Sequence, residues 1–396
     1  MSTKERPVVS VLKARALSFR NLAPAQPEIL PMKSIHLLFG VLLAASALQA
    51  QTLNQATVTA NAPAVNYIIG QQEANSRVWQ KVIQTQDAQG NVTYQTNQAY
   101  VELATGLNHL VNGQWVASSE QIGISPDGTG ASATNGQHQA FFPGDIYNGE
   151  IKLVMPDGQT LQSQPIGLSY FDGTNSVLIA VVTNSTGAIL PSGNQVIYTN
   201  AFDGLNADLL YTYTKAGFEQ DIVFREQPPD PDSLGLNPAT TRLQVLTEFF
   251  NPPQTSVTAT TVPTAAGNLE DDSLSFGTMA MGRGKAFLVG NNSPAAEVNK
   301  RWLVIQGRQF LIEEVPIVSI ASEIDTLPPY VAQTGSGTRP VVSKNLTLPP
   351  QRLTHALPNT SNPFQAVGAG NCYGFSDRVL PREAKHELLK YFRVEH

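Results

Sequence analysis

The chain has 396 residues, a formal net charge of −6 and a single cysteine. Nucleic-acid binding is dominated by lysine and arginine contacts to phosphate, so this acidic chain is not predicted to bind nucleic acid. Only 14% of the residues are charged, against about 25% on average, while 41% are apolar. This composition predicts a substantial core and is typical of secreted all-β proteins with polar loops. Because Cys372 is alone, the fold cannot contain an intramolecular disulfide.

Residues 32–50 have the three parts of a secretory signal peptide. Lys33 precedes the apolar run Ile35–Ala47, and small residues follow up to Ala50. The run is shorter than the roughly 20 apolar residues that cross a bilayer, and it lacks the polar face of a core helix. We therefore expect Sec-dependent export, with cleavage after Ala50 or, as the alternative, after Ala47. The mature chain would then be extracellular or in the cell envelope, without a membrane span.

Residues 1–31 contain five basic residues and four prolines but no apolar periodicity. Met32-Lys33 is an ordinary start for a signal peptide. We therefore expect translation to begin at Met32, with an extended basic n-region as the alternative. Removal of residues 1–50 makes the chain about four charges more negative than −6. This is a poor match for anionic membrane surfaces, which attract basic clusters.

The mature chain is predicted to begin with a leader over 51–75, followed by an antiparallel β-sandwich over 76–327. Short β-branched and aromatic runs alternate with turn residues throughout this region. The region forms either one unit or two sub-domains divided near 228–240. The predicted hairpins are His109–Val116, Ile151–Gln162, Ala207–Arg225 and Arg301–Glu314, with a further strand at Thr241–Phe250. In the third of these, Leu209, Tyr211 and Tyr213 fall on one face.

Other segments pair across a longer loop or lack a strand pattern. The apolar run Ser176–Val182 predicts a strand buried on both faces, paired with Gln195–Thr199. Two insertions rich in proline and polar residues are expected at 227–238 and 252–272. A Pro/Ser/Thr/Gly linker is expected over 328–370. The charged segment 371–396 predicts a short helical tail, or an end altered by frameshift or truncation.

The hairpin around Tyr211 carries a resemblance to a known family. The runs Ala207–Tyr211 and Lys215–Val223 resemble the "D-L-x-Y … G-x-x-x-x-I-V" hairpin in the N-terminal β-rich regions of secreted bacterial Rhs/YD-repeat proteins. In that family the region precedes a repeat shell around a C-terminal effector. This chain has no run of Tyr-Asp repeats, so the resemblance implies a leader region or a truncated gene. It implies no catalytic residue.

Histidine and cysteine chemistry is not predicted. His109, His138 and His355 lack metal-ligand spacing, His386 and His396 lie in the tail, and there is no cysteine pair, so we expect no metal site. His109 is interpreted as a half-exposed strand residue. Cys372 could be a reactive nucleophile, but no histidine-containing motif surrounds it, and an incidental tail residue is the favoured interpretation.

Carboxylates provide the remaining candidates. Glu270-Asp271-Asp272, Asp230 with Asp232, and the Asp145–Glu150 loop could bind calcium, although none matches a calcium-loop motif and solvated acidic loops are favoured. A glycosidase needs two carboxyl groups about 5–9 Å apart. The strand-borne candidates for such a pair are Glu102, Glu219, Asp221 and Glu248.

Three tryptophans, Trp79, Trp115 and Trp302, accompany many tyrosines. Such aromatics could stack on sugars, but core packing explains most of them in a sandwich of this size. The leading hypothesis is therefore a non-enzymatic, exported structural, adhesive or scaffold region of a bacterial surface protein, without cofactors. The alternative is a carbohydrate-binding or glycosidase-like secreted module. The expected partner is a cell-surface glycan or protein.

Overall fold

The computed structural model describes residues 9–19, 66–264, 267–289, 295–331, 342–344 and 365–366. The predicted signal segment and the predicted helical tail lie outside these residues. Helical structure in the described part comprises one four-residue helix, α1 (Ala321–Ile324), and 3₁₀ turns at Asp232–Leu234 and Ile317–Ser319. None of its helices has the length and apolarity needed to cross a membrane. The fold class is all-β, as predicted.

The described strands follow one another closely along the chain. They are β1 (Val9–Phe19), β2 (Asn66–Glu73), β3 (Ser76–Gln86), β4 (Val92–Leu103), β5 (Asn108–Val111), β6 (Gln114–Ala117), β7 (Gly123–Ile124), β8 (Gly130–Ala133), β9 (Gln139–Pro143), β10 (Ile151–Val154), β11 (Thr160–Phe171), β12 (Asn175–Val182), β13 (Gly187–Ile189), β14 (Gln195–Tyr198), β15 (Phe202–Asp203), β16 (Ala207–Thr214), β17 (Gly217–Phe224), β18 (Arg242–Phe250), β19 (Ser256–Thr264), β20 (Gly267–Phe276), β21 (Met279–Met281), β22 (Gly284–Leu288), β23 (Ala296–Ile305), β24 (Arg308–Pro316), β25 (Val342–Lys344) and β26 (Gln365–Ala366).

Two small antiparallel sheets come from residues 66–117. Strands β2, β3 and β4 form one, and the hairpin β5–β6 forms the other. At the β5–β6 turn, Asn112 and Gly113 have φ angles of 51° and 78°. Two successive positive φ angles define the type I′ turn that an Asn-Gly pair favours. The predicted hairpin is therefore confirmed.

The remaining strands build two larger layers. One layer contains β13, β14, β16, β17 and β1 in that order. Strands β21 and β22 pair with the other side of β1, and β21 also pairs with β20, which pairs with β19. The other runs β7–β8–β9–β10–β11–β18–β24–β23, with β12 also paired to β11. Strand β23 belongs to both layers, since its first residues pair with β22 and the rest with β24.

The core lies between these layers. Phe142 of β9 contacts Phe218 of β17 with ring centroids 6.0 Å apart, and Phe249 of β18 stacks on Phe276 of β20 at 6.3 Å. Tyr211 and Tyr213 are fully buried together with Leu209. This confirms that these three residues share one face of β16. A buried hydroxyl needs a partner, and Tyr213 Oη donates to the carbonyl of His138 at 2.7 Å.

Hairpins with a local turn signal were predicted correctly. Strands β16 and β17 pair over eight consecutive residues, from Ala207 opposite Phe224 to Thr214 opposite Gly217. Strands β10 and β11 turn through Pro156-Asp157-Gly158, and β23 and β24 turn through Gln306-Gly307, both with positive φ angles. Strand β18 covers the predicted segment at Thr241–Phe250.

The predicted pairing of Ser176–Val182 with Gln195–Thr199 is wrong. Strand β12 pairs with β11, β15 and β25, whereas β14 pairs with β13 and β16. The reason is that the connecting loop contains a strand of its own, β13, which folds back on β14. A further partner of β12 comes from the segment 328–370, which was predicted to be a linker. This segment contains β25, which pairs with the start of β12.

The predicted insertion at 252–272 is also wrong, because β19 and β20 form a regular hairpin there. Threonine and valine in this segment favour a strand. Pro263 is compatible with β19 because, among the described strands, β19 pairs on one side only, with β20, and an edge strand tolerates a residue without an N–H group.

Candidate functional site

A partly exposed aromatic row crosses the three-stranded sheet β2–β4. Antiparallel register brings Trp79 of β3 opposite Tyr100 of β4. Their rings are 5.9 Å apart and nearly parallel, at 22°, and the ring of Tyr67 lies 6.1 Å from Tyr100. Tyr67 and Tyr100 remain 50% and 51% exposed. We call Tyr67, Trp79 and Tyr100 the aromatic row.

Polar contacts hold the tryptophan of this row in place. Its indole Nε1 donates to Glu102 Oε2 at 2.9 Å, and Arg77 lies 3.6 Å from the same oxygen. Arg77 in turn donates to the Asn108 side chain and to the carbonyl of Leu107. The row is therefore a pre-organised surface in which one ring is fixed by hydrogen bonds. Of the predicted carboxylate candidates, Glu102 acts here as an anchor for tryptophan.

The other two tryptophans have different surroundings. Trp302 packs against the core, with its ring 5.0 Å from Phe249 and 5.7 Å from Phe276. Trp115 lies on β6 and is half-buried. Core packing therefore explains Trp302, whereas Trp79 belongs to a surface. Sequence reasoning named all three tryptophans and missed the two tyrosines that join Trp79.

The strand-borne carboxylates Glu219, Asp221 and Glu248 differ in burial and in their partners. Glu248 of β18 is buried and accepts two hydrogen bonds from Arg308, at 2.7 and 2.6 Å. Glu219 is half-buried, whereas Asp221, two residues along β17, is buried. A carboxylate held by both nitrogens of a guanidinium is neutralised in place and is poorly suited to proton transfer.

A different pair of acids, Asp221 and Glu313, lies between the layers. Burial raises the pKa of Glu313 to about 7, with Lys300 opposing this shift and Asp221 adding to it. Such a shift is a feature of catalytic acids. The adjoining cavity, however, has a volume of about 40 Å³ and is lined mainly by apolar side chains. Pockets that hold small-molecule ligands measure about 300–1,000 Å³, so this cavity is too small for a sugar ring.

The acidic segments considered for calcium are engaged by protein groups. Asp271 is bound by Lys300 at 3.1 Å and by Arg283 at 3.0 Å, and Asp272 accepts from the backbone of Trp302. Asp230 and Asp145 each accept backbone N–H groups of their own loops. Among the described residues, no three acidic, histidine or cysteine side chains are placed to hold a metal ion.

The histidines of the described part are structural. His109 lies on β5 as predicted, but it is 8% exposed rather than half-exposed. The neighbouring Asn108 side chain donates to the carbonyls of Glu73 and Ser76, which ties this end of β5 to β2 and β3. His138 is fully buried beside Tyr213, with ring centroids 4.7 Å apart, and burial lowers its pKa to about 4. His355, His386, His396 and Cys372 lie outside the described residues.

An open cleft of about 410 Å³ borders β8, β9 and β10. Its walls include Phe141, Asp127, Asn148 and Lys152. The ammonium group of Lys152 lies 4.9 Å from the Phe141 ring centroid, so a cation–π contact occupies the aromatic face. Among the lining residues, the partly exposed aromatic ring is that of Phe141, and it already contacts Lys152.

Comparisons with protein-family models, with curated proteins and with solved structures gave no match.

Proposed function

We propose that this chain is a non-enzymatic adhesive and structural region of an exported bacterial surface protein, of the leader type that the hairpin resemblance implies. The observation that supports it best is the state of the strand-borne carboxylates. Glu248 and Asp271 are tied to cationic side chains, and Glu313 borders a cavity too small for a sugar. The protein's exposed aromatic side chains then serve binding rather than catalysis.

Catalysis is tested by incubating the full chain with a panel of polysaccharides and measuring reducing ends. The expected result is no release above the rate without protein. The variants Glu219→Gln and Asp221→Asn provide the decisive comparison. Release that these substitutions abolish, while circular dichroism shows an intact fold, would establish a glycosidase and overturn the proposal.

Export is tested by expressing the full chain in a bacterial host and fractionating the cells. We expect the protein in the periplasm or medium, with Gln51 as its N-terminal residue by sequencing. Leu42→Arg interrupts the apolar run and should retain the protein in the cytoplasm, whereas Leu42→Ile should not. Equal export of both variants would contradict a signal peptide in this segment.

The aromatic row supports a more specific alternative, carbohydrate binding without hydrolysis. Aromatic rings with one open face are amphipathic and provide large contact areas at low entropic cost. The stacked Trp79–Tyr100 pair, with Glu102 at its edge, presents apolar faces beside a hydrogen-bond acceptor. This arrangement suits the apolar face and the hydroxyl groups of a pyranose ring.

A glycan array probed with the labelled full chain tests this alternative. Tyr100→Ala should reduce a positive signal at least tenfold. Tyr94→Ala is the matched control, because Tyr94 is 67% exposed on the same strand but pairs with Gln84, whose side chain lies on the opposite face from Trp79. Absence of any hit, or equal loss in both variants, would remove the aromatic row as a glycan site.

A further inference from the structure

Strand β1 occupies a gap between two parts of the first layer. Its residues pair with β17 on one side and with β21 and β22 on the other. No described strand bridges β17 to β21 or β22 except β1. Without β1, strand β17 would present a free edge on one side of the gap, and β21 and β22 would present free edges on the other. We call this gap the slot. A strand edge with unpaired N–H and C=O groups is a template for another strand.

The walls of this slot have their own support. Strand β17 pairs with β16 over eight consecutive residues, β21 pairs with β20, and β22 pairs with β23. Several wall residues face the core, including Phe218, Ile222 and Met281. Residues outside β1 thus hold both edges at the spacing that an inserted strand requires.

The fit of β1 in this slot is irregular. Against β17 the register shifts between Ser10 and Leu12 and again between Ala14 and Leu17. Against β22 it shifts between Ser10 and Lys13. The other edge of β17 pairs without any shift. Each interruption leaves ladder groups without their regular partners, so main-chain hydrogen bonding holds β1 less firmly than it holds β16.

Apolar residues nonetheless match along the slot. Val9 and Leu12 are at register positions opposite Phe224 and Ile222, and Leu17 is opposite Phe218. The sequence between Phe19 and Asn66 includes the predicted cleavage position after Ala50. The occupied slot therefore belongs to the full-length chain, before cleavage after Ala50 removes residues 1–50.

We propose that the slot between β17 and β21–β22 is a strand-binding site whose ligand is the Val9–Phe19 segment of the full-length chain, exchangeable between copies before residues 1–50 are removed. This is β-augmentation, in which main-chain hydrogen bonds supply affinity and alternate side chains supply register. The inference takes translation from Met1, the alternative with the extended basic n-region. It concerns assembly of the full-length chain and does not depend on the proposed adhesive function.

Cysteine cross-linking of full-length chains tests the exchange directly. In a Cys372→Ser background, Ser18→Cys and Ala280→Cys introduce thiols at directly opposed positions of β1 and β21. One chain that carries both substitutions should form an intrachain disulfide, which checks the register. Two chains that carry one substitution each, mixed and oxidised, should form a disulfide-linked dimer only if the strand of one copy enters the slot of the other.

The matched control replaces Ala280→Cys with Val304→Cys, an exposed position on β23 away from the slot. The Ser18–Ala280 mixture should give at least fivefold more cross-linked dimer than the Ser18–Val304 mixture. Equal yields, or an intrachain bond without any dimer, would overturn exchange between copies. Failure of the intrachain bond would overturn the binding site itself.

A synthetic peptide of residues 9–19 identifies the ligand. Added in excess, it should suppress the cross-linked dimer at least tenfold. A scrambled peptide should not, and neither should a peptide carrying Leu12→Pro and Ala14→Pro, because a strand paired on both sides cannot lose N–H donors without losing ladder bonds. Equal suppression by all three peptides would contradict recognition of an ordered strand.

Discussion

The carboxyl group of Glu313 lies between the two layers, where burial raises its pKa to about 7 from 4.5. As pH rises from 4.5 to 7, the unfolded chain loses this proton while the folded chain keeps it. The free energy of unfolding should therefore fall over that range, by up to about 3 kcal/mol, since each pH unit corresponds to about 1.4 kcal/mol. Urea denaturation at several pH values measures this, and Glu313→Gln should remove the decrease. A Gln variant with the same pH dependence as the natural protein would show that another group is responsible.

The imidazole of His138 has the opposite effect on the pH dependence of stability. Its pKa falls to about 4 from 6.5 because the ring is buried. As pH falls from 6.5 to 4, the unfolded chain binds a proton that the folded chain excludes. Stability should consequently decrease by up to about 3 kcal/mol on acidification. His138→Gln should remove this decrease in stability at acidic pH. Titration of the imidazole resonances by NMR should give a midpoint well below 6. A midpoint near 6.5 would contradict the burial of this ring.

At the scale of elements, the contribution of the ion pair between β18 and β24 to stability can be tested separately. Glu248 is 6% and Arg308 is 19% exposed at the side chain, and they form two short hydrogen bonds. Arg308→Met should cost about 3 kcal/mol of unfolding free energy, because it leaves a buried carboxylate without its partner. The double variant Arg308→Met, Glu248→Leu should recover most of this loss. A double variant that is as unstable as the single variant would mean that packing of the arginine stem, rather than its charge, stabilises the strands.

Element pairing also shows what the sequence could predict. Hairpins closed by Asn112-Gly113 or Gln306-Gly307 were predictable because Asn and Gly readily adopt the positive φ angles that such turns contain. The partner of β12 was not predictable, because pairing between distant strands depends on how the layers stack rather than on local residues.

Trp79 and Trp302 illustrate the same limit for the candidate site. Each has one apolar and one polar neighbour in the sequence, and only the tertiary arrangement places one at a surface and the other against the core.

At the scale of the whole molecule, the two layers share one core. Strand β11 pairs with β18 over nearly its full length, so segments before and after 228–240 contact each other directly. Large buried side chains from both segments form one continuous cluster. We expect these layers to unfold as one cooperative unit, since neither segment could bury its apolar face alone.

The sheet β2–β4 differs, because nearly all residues of β2 and β4 are exposed. Small sheets without a buried face are marginally stable.

Single-tryptophan variants report separately on the small sheet and on the shared core. With Trp115→Phe and Trp302→Phe, the fluorescence of Trp79 reports on the small sheet, whereas with Trp79→Phe and Trp115→Phe that of Trp302 reports on the shared core. The Trp79 transition should occur at a lower urea concentration than the Trp302 transition, and the latter should coincide with the main circular dichroism change. Coincident transitions for both reporters would show that the aromatic row is coupled to the core, and substitutions in the row should then alter the stability of the whole protein.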